Sequence, residues 1–347
     1  MNWQIYPIEQ LRELAGEWDA LQARSMGLPF LESSFLLPLL AEFGSGNERL
    51  AMAREQGQAV AAALLRPGKL GLWELFQPSQ LPLGAWLALP TLPLAELAQG
   101  LIVALPGMAL GLGLPQLDSR LSPRPQDGDS VSTQDYIETA WLDIAGDFDS
   151  YWESRGKNLK QNTRKQRNKL QSEATTTTLE CLVDPAQVAA AMADYGQLES
   201  AGWKAANGTA VHPDNAQGRF YRQMLENFCA MGRARIYRYR FGDKVVSMDL
   251  CIDSGDSIVI LKTAYDESYK TISPSTLMRQ DEFQALFEEG RFKRIEFYGK
   301  VMEWHTRWTE TKRPIYHATV YRWGMLKAVH TGLQKLRQRK PAEAVAE

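Results

Sequence analysis

The fold is decided by residues 257–300, which read SIVILKTAYDESYKTISPSTLMRQDEFQALFEEGRFKRIEFYGK. Residues 257–265 are rich in β-branched and apolar side chains, which is typical of a buried strand. Residues 294–298 alternate apolar and polar side chains like a second strand. The segment between them has the signals of a helix, so the order is strand, loop, helix, strand.

The helix of this segment has clear start and stop signals. Ser273 stands at an N-cap position and Pro274 takes the first helical position, where a missing amide hydrogen costs nothing. We expect the helix to run to about Glu289 and to end at Gly290. The start of such a helix presents backbone amides that bind phosphate or carboxylate. The sequence therefore predicts an anion site at the mouth of the preceding loop.

An antiparallel meander is predicted immediately before the helix. Residues 234–240, 244–252 and 257–265 are strand-like runs, and Gly-Asp turns at 242–243 and 255–256 separate them. The meander leads directly into the strand, loop, helix and strand described above.

Bulk composition favours a globular protein of two domains. The chain has 347 residues, and its 39 basic and 41 acidic residues give a net charge of −2. This charge offers no global attraction for DNA or for an anionic membrane. Residues 115–134 are dense in proline, serine, aspartate and glycine, which indicates a linker. We predict a first domain over 1–134, a second over 135–338, and a tail over 339–347.

No metal site or membrane segment is expected from the sequence. The three cysteines and four histidines are scattered and show no ligand spacing of the CxxC or HExxH type. Two uncharged stretches, 75–95 and 97–117, are interrupted by prolines and glycines, which favours buried strands and turns over membrane spans. The N-terminus does not have the pattern of a secretory signal, so we expect a cytoplasmic protein.

Several motifs occur in an order that resembles a known superfamily. They are YWESRGKNLKQNTRKQRNKL, LESAGWKAANGTA with the later RFYRQM, LKTAYDESY, SPSTLM, EFYG and WTETKRPIY. Over roughly 147–321 the chain resembles the GNAT (acyl-CoA N-acyltransferase) superfamily, in particular its cellulose-biosynthesis CelD/BcsL-like group. That group is related to the FemAB-type aminoacyl transferases that build peptidoglycan cross-bridges. The resemblance implies an α/β (α+β) fold with mixed, largely antiparallel central sheets, and the first half resembles a degenerate copy of the same domain.

The resemblance also implies an activity. We expect an N-acyltransferase that uses acetyl-CoA or another acyl-CoA as co-substrate and acts on an amine of a small molecule or sugar, in polysaccharide or cell-envelope metabolism. One alternative keeps the fold but takes aminoacyl-tRNA as the donor, with tRNA as a partner. Another is a catalytically inactive relative that binds a ligand. The loop YKTISPST lacks the glycines usual in the superfamily, which supports the last alternative.

Candidate donor-binding and catalytic residues follow from the same resemblance. Side chains that could contact coenzyme A around the predicted helix start are Lys262, Lys270, Ser273, Ser275 and Thr276. Amine attack on a thioester needs a base and donors for the oxyanion. The carboxylates nearest the expected position are Asp249 and Glu296, while Tyr265 or Tyr298 would return a proton to the thiolate. Taken singly, an acid or a tyrosine on a strand is more often a surface or rim residue than a catalytic one.

Candidate substrate-binding residues lie in two further segments. Lys160 and Arg164 belong to a basic helix face, which contacts an anionic substrate unless it is a solvated surface. Trp203 and Lys204 follow a glycine that permits a tight turn, and they form either an acceptor wall or a domain interface. Arg219 and Tyr221 are comparable candidates.

Overall fold

The computed structural model describes residues 2–200 and 211–329, so Trp203 and Lys204 lie outside the described residues. The helices are α1 (Ala15–Ser25), α2 (Ser33–Phe43), α3 (Leu94–Ala104), α4 (Phe148–Glu153), α5 (Lys157–Ser172), α6 (Pro185–Ser200), α7 (Ala216–Ala230), α8 (Pro274–Glu289) and α9 (Glu303–Thr306). The strands of the first half are β1 (Asn2–Pro7), β2 (Arg49–Glu55), β3 (Gln58–Pro67), β4 (Leu72–Leu75), β5 (Trp86–Ala88) and β6 (Gly111–Asp118). The later strands are β7 (Val131–Asp143), β8 (Thr177–Leu182), β9 (Ala234–Phe241), β10 (Lys244–Asp253), β11 (Ser257–Tyr265), β12 (Arg294–Glu296) and β13 (Lys312–Tyr321).

The chain divides into two compact units. Unit 1 combines the chain up to Gly27, residues Ser45–Ile137 and the chain from Arg313, while unit 2 combines Leu28–Gly44 with Glu138–Lys312. The division at 137/138 lies within β7, close to the predicted boundary at 134/135. The sequence prediction did not separate residues 28–44 or the last strand from their neighbours in the chain.

Both units have the same order and sense of strand pairing. In unit 1 the order is β1, β2, β3, β4, β6 and β13, with β5 paired to β3. In unit 2 it is β8, β9, β10, β11, β12 and β7. The first three pairings of each unit are antiparallel, the fourth is parallel (β4 with β6, β11 with β12), and the last is antiparallel. The predicted fold class, with mixed and largely antiparallel sheets, is confirmed.

The predicted meander and its turns are confirmed. Residues Ala234–Phe241, Lys244–Asp253 and Ser257–Tyr265 form β9, β10 and β11. The turns at Gly242 and Gly255 have φ angles of 56° and 95°, a region that glycine enters without a steric penalty. Sequence patterns of period two and local turn chemistry were therefore sufficient for this region.

Unit 1 closes the space beyond its parallel pair with its own chain. The Gly84 amide donates to the Gln116 carbonyl at 3.2 Å, so this segment lies against the end of β6. A Cβ on Gly84 would lie 2.5 Å from the Pro115 carbonyl oxygen and 2.7 Å from Cδ1 of Leu75. Only glycine fits such a close approach without a backbone shift. The ends of β4 and β6 are therefore covered by packed protein.

Unit 2 leaves the equivalent space open. The pairing of β11 with β12 covers only Ser257 to Val259, where Val259 faces Glu296. Beyond that point β11 continues to Tyr265, whereas β12 ends and the chain turns away at Tyr298, which has a left-handed φ of 43°. The two strands consequently separate at their carboxyl ends.

Helix α2 belongs to unit 2 although it comes from the first part of the chain. Phe35 of α2 packs edge-on against Phe220 of α7, with ring centroids 5.2 Å apart. Arg219 of α7 pairs with Glu42 at 2.7 Å, and Arg233 pairs with Glu32 at 2.7 Å. Buried aromatic contacts and ion pairs therefore attach this segment to unit 2.

Candidate active site

A cavity of about 550 Å³ opens in unit 2 where β11 and β12 separate. Residues 260–265 of β11 form one wall, and Phe297 and Gly299 contribute to the other. The start of α8 and part of α9 complete the lining. In open α/β sheets, ligands bind at the carboxyl ends of parallel strands. The cavity has this position, so it is the candidate active site.

A bulge in β11 adjusts the wall of this cavity. Leu250 of β10 faces Lys262, but the next residue, Cys251, faces Ile260, so Leu261 is the extra residue of the bulge. Bulges redirect side chains and are frequent next to active sites. Lys262 and Thr263, which follow the bulge, both line the cavity.

Arg279 of α8 is a buried cation on the cavity wall. It lines the cavity yet is only 4% exposed. Its Nη2 donates to Oγ1 of Thr263 at 2.7 Å, and its guanidinium carbon lies 4.0 Å from the centroid of the Trp304 ring. Its Nε lies 3.6 Å from Oδ2 of Asp249, beyond hydrogen-bond distance. The guanidinium is thus fixed by contacts on several sides.

Asp249 and Glu282 form a buried carboxyl pair behind Arg279. Both are fully buried and lie close enough to interact, and two negative charges in one buried site are costly, which favours one proton between them. Burial raises the pKa of both groups, and the nearby charge of Asp249 helps to hold the pKa of Glu282 well above its usual range. Arg279 opposes the rise in the pKa of Asp249. Glu282 is therefore the protonated member and Asp249 the charged member that faces Arg279.

Glu199, at the end of α6, is a buried carboxylate that lines the cavity. It accepts hydrogen bonds from the Val211 amide at 2.7 Å and from the Tyr195 hydroxyl at 3.2 Å. Its Oε1 lies 4.0 Å from Nζ of Lys262, which in turn lies 5.5 Å from the centroid of the Tyr221 ring. A carboxylate in this position can accept a proton from a group bound in the cavity.

His305 of α9 is a neutral imidazole on the cavity lining. Its Nδ1 accepts the Met302 amide at 2.9 Å, so the neutral ring carries its proton on Nε2. Burial and the charge of Arg279 lower the pKa of His305 to about 4. The ring stacks on Trp304 and is only 4% exposed. At neutral pH His305 is therefore a hydrogen-bond donor and a poor base.

The start of α8 offers few backbone amides to an anion. Ser273 occupies the N-cap position, as predicted, but it has a left-handed φ of 53° and its side chain does not cap the helix. The Ser273 amide donates to the Lys270 carbonyl in a tight turn, and this turn places its hydroxyl near the same carbonyl, at 3.4 Å. Pro274 has no amide hydrogen, and the Thr276 amide bonds to the Ser273 carbonyl. Side chains must supply most of the contacts here.

The predicted residues divide into those on the cavity and those behind it. All of the predicted donor-binding side chains and one tyrosine line the cavity: Lys262, Lys270, Ser273, Ser275, Thr276 and Tyr265. Asp249 reaches the cavity only through Arg279. Glu296 is 1% exposed with Arg294 at 3.8 Å, and Tyr298 packs edge-on against Phe30. These three lie behind the lining.

The predicted substrate-binding residues lie apart from the lining. Lys160 pairs with Glu153 at 2.7 Å, and Arg164 is exposed on the same helix, α5. Arg219 pairs with Glu42, and Tyr221 is buried beneath Lys262. Their role in substrate binding stays a prediction.

Among the lining residues, the sequence analysis did not select Glu199, Arg279 or His305 as site residues. One signal was available for Arg279, because it and Glu282 lie three residues apart on the apolar stripe of α8 that includes Met278 and Phe283. A charged pair on a buried stripe requires a partner, and Asp249 in the apolar run of β10 is that partner. Glu199 and His305 have no comparable local signal.

The comparisons with known proteins agree with this fold. Residues 157–306 match the family model described as the acetyltransferase (GNAT) domain. The matched stretch lies entirely within unit 2 and is less than half of the chain. Unit 2 therefore contains an acetyltransferase domain of the GNAT type, and the protein is an acyltransferase. No curated protein matches the chain.

Solved structures resemble the chain over nearly its full length. FemX is 10% identical with a TM-score of 0.57, covering 93% of this chain and 98% of its own. The C-terminal domain of a candidate lysylphosphatidylglycerol synthetase from Agrobacterium fabrum is 13% identical with a TM-score of 0.55, covering 96% and 99%. L-PGS from Bacillus licheniformis is 12% identical with a TM-score of 0.50, covering 94% and 97%. At these identities the likeness concerns the fold.

Within residues 2–200 and 211–329, no group of three or more histidine, cysteine, aspartate or glutamate side chains is arranged to hold a metal ion. None of the helices in the same residues has the length and apolar character needed to cross a membrane.

Proposed function

We propose that unit 2 transfers an acyl group from acetyl-CoA or another acyl-CoA to a primary amine of a small molecule or sugar. The observation that carries this proposal is the cavity at the separated ends of β11 and β12, lined by the buried carboxylate Glu199. A base beside a cleft at the carboxyl ends of parallel strands suits amine attack on a thioester.

The proposed chemistry assigns a role to each group on the lining. Glu199 takes the first proton of the acceptor ammonium and passes it to solvent, and the free amine then attacks the thioester carbonyl. The Nε2–H of His305 is a suitable donor for the oxyanion, because the ring is neutral at physiological pH. As the carbon–sulfur bond breaks, the second nitrogen proton goes to the thiolate, and Tyr265 on the lining is placed to relay it.

The donor would be held mainly by side chains. Lys270, Ser275 and Thr276 lie on the lining at the start of α8, where backbone amides are few. Lysine and hydroxyl groups bind phosphate as point contacts, in place of the glycine-rich amide cradle. We therefore expect donor affinity to depend strongly on salt and on Lys270.

A donor of a different class, aminoacyl-tRNA, has its own supporting observations. FemX resembles the chain over nearly the whole length of both proteins. The basic helix α5 also lies next to the start of α8, since Gln166 donates to the Thr271 carbonyl at 2.9 Å and Arg167 pairs with Asp281. Its exposed Lys157 and Arg164 would contact phosphates of the tRNA. The acyl-CoA proposal, in contrast, includes a place in polysaccharide or cell-envelope metabolism, kinship with the cellulose-biosynthesis group and a cytoplasmic location.

Thermal unfolding with each donor decides between the two. A ligand that binds the native state raises the unfolding temperature, so acetyl-CoA, free coenzyme A and tRNA are each added to the purified chain. We expect stabilisation by acetyl-CoA that is lost in Lys270→Ala and kept in Lys327→Ala, a lysine outside unit 2. A shift with tRNA that is lost in Arg164→Ala would instead support the aminoacyl donor. No shift with millimolar acetyl-CoA contradicts the first proposal.

A further inference from the structure

The buried Arg279 has hydrogen-bonding capacity that its neighbours do not use. Its Nε forms no hydrogen bond within the described part of the chain, although the residue is almost completely buried and lines the cavity. A buried charged donor without a hydrogen-bonded acceptor is costly, and Nε itself is buried with Asp249 at 3.6 Å. An acceptor that arrives with a ligand would therefore meet the part of the guanidinium that lines the cavity. The planar guanidinium matches a carboxylate, which can accept two parallel hydrogen bonds.

The charges around Arg279 are nearly balanced before any ligand binds. Asp249 of β10 and Glu282 of α8 share one proton, so together they carry one negative charge that faces the guanidinium. Cys251 of β10 lies 3.9 Å from Glu282, and burial keeps this thiol protonated by raising its pKa. His305 of α9 is neutral at physiological pH. An incoming carboxylate would therefore add a negative charge that the cluster has to neutralise.

The carboxyl pair supplies a way to neutralise that charge. Asp249 is fully buried and lies 3.6 Å from Nε of Arg279 without a hydrogen bond, so the guanidinium can exchange this partner for another. If a ligand carboxylate takes over Arg279, Asp249 loses its stabilising cation and binds a proton. The total charge of the cluster then stays constant. Binding of the carboxylate should therefore be coupled to uptake of a proton from solvent.

The opposite end of the cavity is suited to an amine. Glu199 pairs with Lys262, and Arg279 donates to Thr263, the next residue along β11. Because successive side chains of a strand point to opposite faces, Glu199 and Arg279 reach the cavity from opposite faces of β11, and both line it. A small molecule that carries an ammonium and a carboxylate would meet Glu199 with one group and Arg279 with the other.

We propose that the acceptor is a free amino acid, whose carboxylate binds Arg279 while its amine faces Glu199, and that the Asp249–Glu282 pair takes up one proton when it binds. This inference rests on the proposed N-acyl transfer for the role of the amine. Arg279 is the specificity-determining residue in this arrangement, and Asp249 is a positioning residue that acts through Arg279.

Acceptor kinetics test the carboxylate site. Thiol release from acetyl-CoA is measured with each of the common amino acids, and the best of them is compared with its methyl ester and its decarboxylated amine. We expect both analogues, which lack the carboxylate, to raise KM by at least about 10-fold with a smaller effect on kcat, as a lost bidentate contact requires. Arg279→Lys should raise KM for the amino acid similarly and leave KM for the methyl ester unchanged. Arg222→Lys, on the exposed face of α7, is the matched control.

Calorimetry separates this inference from the proposed reaction. Binding of the best amino acid, or of the whole amino-acid set if no thiol is released, is measured in two buffers of different ionisation enthalpy. We expect the unsubstituted chain to take up close to one proton when the amino acid binds. The folded Asp249→Asn variant should show no such uptake.

Thiol release with equal KM for amino acid, ester and amine would overturn the inference but leave N-acyl transfer standing. Amino-acid binding with proton uptake but no thiol release would support the site and contradict the reaction. No binding of any amino acid overturns the inference.

Discussion

The two units place the same parallel strand pair in opposite chemical settings. In unit 1 the ends of β4 and β6 are covered by the segment around Gly84, which packs against Pro115 and Leu75. In unit 2 the ends of β11 and β12 separate and leave a cavity of about 550 Å³. The same strand order thus ends in packed protein in unit 1 and in a cavity in unit 2.

The buried side chains of β3 and α3 in unit 1 are apolar, whereas those of β10 and α8 in unit 2 include charged groups. The centre of β3 in unit 1 is a run of buried alanine and leucine, and the buried face of α3 consists of Leu94, Leu97, Ala98, Leu101 and Ile102. The corresponding elements of unit 2, β10 and α8, carry Asp249, Arg279 and Glu282 in buried positions. Buried charges are expensive unless they are paired, so their presence on β10 and α8, where the corresponding β3 and α3 bury apolar side chains, indicates function.

Replacing Glu199 by glutamine should remove most of the activity proposed for unit 2, and this is the largest effect we expect. The amide cannot accept the ammonium proton, so kcat/KM should fall roughly 10³-fold, in the range known for general bases. Steady-state thiol release with the best acceptor measures the loss. Glu267→Gln removes another carboxylate from the same lining and should have little effect. Equal losses in the two variants would remove Glu199 from the role of base.

Replacing Gly84 by alanine tests the closed state of unit 1. The new methyl group would lie 2.5 Å from a backbone oxygen, so the segment must move and the free energy of unfolding should fall by about 3 kcal/mol. Chemical denaturation measures the change. Gly128→Ala, where a Cβ meets no atom within 4 Å, should be close to neutral. If both variants are equally stable, the segment does not seal unit 1.

Acid titration compares one histidine from each unit. His305 has its pKa lowered to about 4 from 6.5, mainly by burial, and the half-buried His317 of unit 1 is shifted in the same direction by burial. Because the folded pKa lies below the unfolded one, the stabilisation is present above pH 6.5 and is lost as the pH falls toward 4. His305 should account for about 2 kcal/mol of the stability lost between pH 7 and pH 5.

Asparagine variants measure that contribution. Asparagine keeps an acceptor near the position of Nδ1, which bonds the Met302 amide in His305 and the Gln116 amide in His317. The unfolding free energy of His305→Asn should therefore depend less steeply on pH than that of the parent chain, and His317→Asn should show a smaller difference. A parent-like slope in His305→Asn contradicts the assignment of a neutral, buried imidazole.

Replacing Ser273 by glycine tests whether the backbone at the start of α8 is strained, and we expect its effect on stability to be the smallest. Serine at a φ of 53° is strained, and glycine is not, so the variant should gain up to about 1 kcal/mol in the free energy of unfolding. Gly290→Ala, at the other end of the helix with a φ of 65°, should lose about the same amount. Thermal unfolding of both variants measures the opposite signs. A loss in Ser273→Gly would mean that the serine side chain is needed for the loop.

Much of unit 2 was predictable from local sequence patterns. The meander, the helix beginning at Pro274 and the order of elements depend on turn residues and on periods that can be read within short segments. The donor-binding candidates around Ser273 were found because they adjoin that helix start, and they do line the cavity. Local signals therefore identified the fold and one side of the site.

The rest of the site depends on contacts between distant segments. Glu199 belongs to α6 and His305 to α9, and nothing near either residue in the sequence shows that both reach the end of β11. Asp249 was selected as a catalytic base because it lies on a central strand, but the structure places it behind the cavity wall, beside Arg279. The attachment of residues 28–44 to unit 2 is likewise non-local, since it depends on Phe35, Glu32 and Glu42 meeting partners far along the chain.

The interleaving of the two units has a consequence for biosynthesis. Strand β13 is the last described strand of the chain, yet it completes the sheet of unit 1 beside β6. A nascent chain folds from its N-terminus as it leaves the ribosome, so β6 emerges long before its partner and keeps an unpaired edge while unit 2 is being made. Helix α2, in contrast, is synthesised early, long before α7, the helix against which it packs. Neither half of a gene cut between codons 137 and 138 encodes a complete unit, so we do not expect either unit to fold from one half alone.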